Sequence, residues 1–560
     1  MKASETSFRN LLEGSKQFKV PLFQRPYSWE KGNWETLWDD LMSLYSDGVE
    51  EYHFLGPIVT LAEPGTADGI SPYLLIDGQQ RLITLTLLLI ALRDLLKQQG
   101  SELAEELHEY YLINKFKKGD DRYKVLPTQA DSSFYQQIVQ AKEPEKRGRI
   151  DEAYLFFLNK LEKGESADPN TPLNLSKLKT VILERLTLVS ITLNDDDNPY
   201  LIFESLNYKG APLTQADLIR NYFFLQIPKE KHDEIYSDSW LPLQEGFKAV
   251  ARGRYLDELT LAFWQYLRKD GVSLKQNQVY QVFKQAFENK QLDALQELKQ
   301  VLEFADYYRR VHFPETEKEP KLFRWFNRFK RLDFTTCYPL LLNLHHDYKN
   351  KNISLTEFEQ ALRYVESYFV RRLLCGMPSN ALDKVFNTLY REIKERWSGD
   401  LVSTLRQVWL GLQRTQVWPD DDSLRRSIVE ERLYTDRRND RVKLILESLA
   451  ENLSKEQIKT ESLSVEHIMP QTLTDEWRAM LGANANEQYE KWLHTLGNLT
   501  LTAYNPELSN KPFAEKLEYL SEKSSFALNQ YFRNVNAWNA SEIQRRGHKL
   551  AEIAVQVWPR

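Results

Sequence analysis

Residues Leu74 to Leu82 read LLIDGQQRL, and the apolar run ITLTLLLIAL follows directly. An aspartate, a glycine, two glutamines and an arginine therefore stand between two apolar segments. A strand that ends at Asp77–Gly78 and opens into a helix gathers backbone N–H groups and the positive end of the helix dipole at one spot. Glycine lets a ligand approach the backbone closely. Gln79 and Gln80 offer amide donors and acceptors, and Arg81 supplies a two-pronged guanidinium suited to phosphate oxygens. The five residues read as an anion cradle, with a structural alternative in which Asp77 caps the helix and Arg81 pairs with a surface carboxylate. No Walker A loop and no GxGxxG occurs in the chain, which excludes the commonest nucleotide-site designs.

Two further polar clusters accompany this turn. In VPLFQRPYSWEKGNWETLWDDL, Gln24 and Arg25 precede Pro26 in a segment expected to be extended, while Tyr27, Trp29 and Trp34 are read first as core. In FESLNYKGAPLTQADLIRN, the residues Glu204, Asn207, Asp217, Arg220 and Asn221 form a polar set on otherwise apolar helices. Asp217 and Asn221 are four apart and share a helix face. Carboxylates there could hold a metal ion together with phosphates; the alternative is a capped helix pair with internal hydrogen bonds.

Near the other end, SVEHIMPQ places His467 after Glu466 and three residues before Pro470, followed by Asn498 in LGNLTL, then Asn505, Asn510 and Lys511. Hydrolysing a phosphodiester needs an activated water, charge neutralisation and a stabilised leaving oxygen. Histidine suits the base because it titrates near neutrality, and a metal held by oxygen ligands can do the rest. Between the two ends, KLFRWFNRFKRL carries Arg324, Arg328, Lys330 and Arg331 among aromatic residues. It reads either as a stripe that follows a phosphate backbone or as an amphipathic helix with a solvated basic edge.

The elements that must position these groups follow from periodicity. His53–Leu61, Tyr73–Ile76 and Leu186–Leu193 read as strands, and Leu82–Leu96 as a core helix too short for a bilayer. Thr214 is the expected N-cap of a following helix, with Asp217 at its third position. From Lys231 to Leu453 apolar residues recur at helical spacing, and beyond them short β-like runs with Asn, Gly and Pro appear. The fold class expected is α+β and mostly helical, in three parts: 1–230, 231–455 and 456–560. At 560 residues and 12% aromatic, the chain has ample material for several cores. Its formal net charge of −6 excludes a passive DNA coat, so DNA contact requires local basic patches. Two cysteines, Cys337 and Cys375, in no CxxC arrangement, exclude a thiolate zinc site and fit the cytoplasm. No membrane partner is expected.

With these residues in hand, the chain resembles the GmrSD family of modification-dependent (type IV) restriction enzymes in single-chain form. FQRPYSWE, HFLGPIV, LLIDGQQRLITL and IFESLNYKGAPLTQADLIRN match its N-terminal motifs in order. VEHIMPQTL, HTLGNLTLTAYNPELSNKPFAEK and WNASEIQRRGHKLAEIAVQVW match its C-terminal domain, while the middle third matches only in being helical. The resemblance implies a ParB/sulfiredoxin-like N-terminal fold that binds and hydrolyses a nucleoside triphosphate (GTP, UTP or ATP). Its nucleotide-binding set here is Asp77, Gly78, Gln79, Gln80, Arg81, Gln24, Arg25, Asn207, Asp217 and Arg220. It also implies a C-terminal ββα-metal (HNH) nuclease that uses Mg2+ or another divalent ion. There His467 is the base, Asn498 positions the loop, and Glu466 takes the place often held by a metal-binding aspartate. Asn510, beside Lys511, is favoured as the metal-side asparagine, with Asn505 close behind. Modified double-stranded phage DNA, such as DNA with glucosylated hydroxymethylcytosine, is the implied substrate, and a homodimer is compatible. The competing readings are a phosphorothioate-sensing nickase and a nucleotide-dependent DNA-binding regulator with an inert C-terminal site.

Overall fold

The computed structural model describes residues 2–560 apart from 47–50, 66–68, 143–147, 165–171, 194–213, 291–292, 381, 398, 435–438, 455–461 and 525. The described residues form two compact units, Met1–Gly246 with Phe283–Lys299, and Phe247–Val282 with Gln300–Arg560. The architecture is α+β and mostly helical, with a mixed sheet in the first unit.

That sheet has six strands, β1 (Lys2–Ser7), β2 (Lys16–Lys19), β3 (His53–Ala62), β4 (Ser71–Asp77), β5 (Val125–Leu126) and β6 (Leu186–Leu193), in the order β1-β6-β3-β4-β2-β5. β3 pairs antiparallel with β4 and parallel with β6. Successive side chains along a strand face opposite sides. Ile58 and Leu75 accordingly enter the main core, while their neighbours Val59 and Ile76 join Leu193 and Leu218 on the other face. A sheet covered on both faces requires unbroken apolar runs, which is why β3 and β4 do not alternate in sequence. The helix Gln79–Gln98 lies in the main core with Leu82 to Leu92 buried on every side. β1 is a different case: Lys2–Ser7 is polar and largely exposed, and only its pairing with β6 makes it a strand. Nothing in its composition announces it.

In the second unit the basic segment forms the helix Pro320–Leu332, which buries Leu322, Phe326, Phe329 and Leu332. Its cations are engaged within the unit. Arg328 makes a bidentate pair with Glu366 at 2.6 and 2.7 Å. Arg331 reaches Glu447 at 2.6 Å and Asp440 at 3.0 Å. Arg324 pairs with Glu451, and Lys330 with Glu315. Arg328 and Arg331 are interhelical ties, while Arg324 and Lys330 stay closer to solvent.

The final part of this unit holds β7 (Ser464–His467) and β8 (Leu499–Thr502), antiparallel with His467 opposite Leu499. Met469, Trp477, Phe513, Phe532 and Trp538 form the core around them. The unit's helices and its C-terminal end share buried contacts: the Arg371 guanidinium donates to the carbonyls of Trp558 and Pro419 and to Asp421.

Candidate functional site

The DGQQR turn lies where the sequence places it, with β4 ending at Asp77 and the helix beginning at Gln79. Gly78 is the N-cap at φ +92°, a left-handed conformation, and a Cβ there would meet Ile58 Cδ1 at 2.4 Å. Both facts demand glycine. Gly78 offers no capping side chain and no acidic residue occupies the first turn, so among the described residues no carboxylate of this helix satisfies its first amide donors. Arg81 lies across an irregularity in β3: its Nη1 donates to Leu55 O at 3.0 Å, and its Nη2 is 3.3 Å from Asp77 Oδ2.

The neighbouring glutamines hold backbone. Gln24 Nε2 donates to Leu75 O and Ile76 O, both at 2.9 Å, and Gln80 Oε1 accepts from Ser28 N at 2.8 Å. The FQRPYS segment is thereby laced to β4 and to the helix start. Two groups keep unused capacity. Gln79 Oε1 is buried without a hydrogen-bond partner among the described residues. Arg25, half-buried, makes no ion pair among them. Uncapped amides, an unpaired guanidinium and an orphaned buried acceptor fit a polyanionic ligand with a donor group.

Asp217 and Arg220 occupy the helix Gln215–Gln226. Asp217 closes a capping box with Thr214 and pairs with Arg220 at 2.7 Å, both side chains being 2% exposed. Those bonds hold the helix start, while Arg220 Nε and Asn221 Oδ1 are buried without a hydrogen-bond partner among the described residues. Asn207 lies outside the described residues.

At the C-terminal end, Asn498 is fully buried and fully used. Its Oδ1 accepts from Met469 N at 2.8 Å and Trp538 Nε1 at 2.9 Å, and its Nδ2 donates to Met469 O and Leu493 O. The side chain clasps the turn that follows His467. Glu466 and Lys516 form a buried ion pair at 2.6 Å, and Lys516 Nζ also donates to His467 O at 2.9 Å. Burial pushes the Glu466 carboxyl up and the Lys516 ammonium down, each opposed by its partner. His467 is 4% exposed, with its Nε2 3.2 Å from His494 Nδ1 and the Tyr434 ring edge-on to it at 4.6 Å. Burial, then the nearby His494 and Lys516, lower its pKa to about 3. Of the two asparagines weighed from sequence, Asn505 approaches β7, its Nδ2 3.4 Å from Val465 O. Asn510 is exposed beyond it, and Lys511 pairs at the surface with Glu515.

Comparison with known families decides what these two ends are. The GmrSD restriction endonuclease N-terminal domain matches residues 8–224, and the GmrSD restriction endonucleases' C-terminal domain matches residues 418–553. Together they cover well over half of the chain. The chain belongs to the GmrSD restriction endonucleases. No curated protein matches it.

In this GmrSD chain the C-terminal match begins at 418, within the helices that precede β7, and the DGQQR turn lies inside the N-terminal match. Among the described residues no three His, Cys, Asp or Glu side chains converge into a metal cluster. Glu466 on β7 and Asn505 against it carry oxygen atoms, and both side chains already make bonds within the fold. Carboxylate and amide oxygens are the donor type that magnesium accepts while it keeps most of its waters and binds phosphate oxygens. Lys516 already holds the same carboxylate, so any ion there shares or displaces it.

Three residues at this GmrSD end escaped sequence reasoning. Lys516 lay in the quoted PFAEK, but nothing local distinguishes it from Lys511, and only folding buries one and exposes the other. His494 stands four residues before Asn498 in HTLGNL, a spacing that was available. Tyr434 opens the basic run YTDRRNDRVK, 33 positions before His467 in the numbering, and nothing local ties it to the histidine.

Proposed function

We propose that the chain is a nucleotide-regulated, metal-dependent DNA endonuclease that cuts modified phage DNA, glucosylated hydroxymethylcytosine being the modification. The observation that carries the reading is the Asn498 clasp, which holds the turn after His467 through both Met469 N and Met469 O. Such a clasp fixes the imidazole relative to Glu466 and Asn505 on a two-stranded hairpin. His467 would take the proton of the attacking water. Burial holds the ring neutral but makes it a weaker base than a free histidine, so the task requires the incoming phosphate's negative charge to raise its proton affinity. Because the imidazole is 4% exposed, a phosphate reaches it only when the Tyr434 ring or its neighbours swing aside. Glu466 and Asn505 would hold the divalent ion, which supplies charge neutralisation at the phosphate when bound.

At the other end, the amides following Gly78, with Arg25 and Arg81, would bind the triphosphate, and Gln79 Oε1 would accept a donor from it. Gln24 and Gln80 orient the loop and the helix start. The choice of modification rests on the family resemblance alone. The test is incubation of the purified chain with modified and unmodified DNA, with and without each nucleoside triphosphate and with magnesium or manganese. Cutting confined to modified DNA, and dependent on both additions, is the expected result. Equal cutting of both DNAs, or none, removes the proposal.

A further inference from the structure

Beside the residues already assigned, His494 is the side chain tied most directly to His467. His494 Nδ1 lies 3.2 Å from His467 Nε2, with the ring planes 82° apart. Its own placement is rigidly specified. Leu433 N donates to His494 O at 2.9 Å and Tyr434 N at 3.3 Å, and Arg432 bridges to Thr495. The Tyr434 ring stacks on the His494 ring with 14° between planes and meets His467 nearly perpendicular.

A neutral imidazole has one nitrogen that donates and one that accepts. The contact with His494 occupies Nε2 of His467, so Nδ1 is the nitrogen left for water. A base needs a lone pair on the nitrogen that meets the water, so the ring hydrogen must sit on Nε2. That hydrogen then points at His494 Nδ1, which must accept. Second partners of this kind fix the tautomer and ring plane of functional histidines.

We propose that His494 is a positioning residue for DNA cleavage: it accepts the Nε2–H of His467, pins the ring plane, and leaves Nδ1 as the proton acceptor. The inference rests on the nuclease reading above. When the water proton arrives at Nδ1, the Nε2–H stays on His494, so the imidazolium keeps its orientation until the proton leaves again.

The test uses the full chain and two variants. His494→Leu fills space without an acceptor, and His494→Asn keeps an oxygen acceptor near the place of Nδ1. In cleavage assays His494→Leu should lower kcat on the order of tenfold to a hundredfold with KM unchanged, and His494→Asn should restore most of the loss. Independently, two-bond 15N–1H spectra of histidine-labelled wild type should show His467 as the Nε2–H tautomer, with a mixture in His494→Leu. An Nδ1–H tautomer in wild type overturns the proposal whether or not the variants fold. So does a His494→Leu chain that cleaves like wild type. Absence of any cleavage by wild type, with the Nε2–H tautomer present, counts against the nuclease reading and leaves the pairing of the two rings standing.

Discussion

At the N-terminal turn, Gln24, Gln80 and Arg81 each fasten one or two neighbouring groups of β3, β4 and the segment before them, whereas around His467 single buried side chains serve several main-chain and side-chain groups at once. Anchoring to one or two neighbours is local in its consequences: losing Gln24 removes one donor from the Leu75 and Ile76 carbonyls, and the helix start survives. Shared anchoring propagates. Lys516 serves both Glu466 and the carbonyl of His467, and Asn498 serves Met469, Leu493 and Trp538. Removing one member leaves a buried partner unsatisfied in a low-dielectric surrounding. On the proposed reading, the first site keeps capacity for a ligand and the second holds the His467 ring still.

The sharpest way to break this contrast is His467→Ala. DNA cleavage should fall by about 10²–10⁴-fold while nucleoside triphosphate hydrolysis is unchanged; parallel loss of both activities would show that the sites are not separable. Next, Lys516→Met strands a buried carboxylate and should cost about 3–5 kcal/mol in denaturant unfolding. The pair Lys516→Met with Glu466→Gln should recover much of it. Gly78→Ala forces a β-carbon into a left-handed φ of +92° and against Ile58, costing about 1–2 kcal/mol and weakening nucleotide binding measured by calorimetry.

Acid should separate the two ends as well. The folded His467 has a pKa of about 3 against an ordinary 6.5, so between those values the unfolded chain binds the extra proton. Its contribution is therefore fully present above pH 6.5 and is lost as pH falls toward 3. Thermal scans should show a steeper acid loss for wild type than for His467→Asn; identical slopes would mean that the ring is not held neutral in the fold. The smallest effect belongs to Arg324→Ala, whose pair with Glu451 is largely solvent-exposed. It should change stability by less than about 1 kcal/mol, well below Arg328→Ala, which leaves buried Glu366 without its bidentate partner.

Much of the scaffold was legible because its signals are local. The Asp77–Gly78 junction, the Thr214 cap with Asp217, and the helical run after Lys231 all depend on residues within one or two turns of each other, where backbone conformation is decided. The fully apolar stretch after Arg81 could belong only to a helix buried on all sides. Even the clasping asparagine was reachable, since LGNLTL places Asn498 immediately before a strand. β1 was not, because a six-residue polar strand owes its existence to a partner, β6, that lies more than 180 positions away in the numbering.

What sequence alone determined, then, is which segments become strands and helices and which polar residues sit at their ends. Only tertiary structure decided how those polar residues are spent. It turned Arg328 and Arg331 into interhelical ties, chose Lys516 over Lys511 for burial, brought Asn505 to β7, and set His494 against His467. The reason is physical: charge pairing and ring contact depend on distances of a few ångströms between elements far apart in the chain. Those distances are fixed by core packing, which no short window of sequence contains.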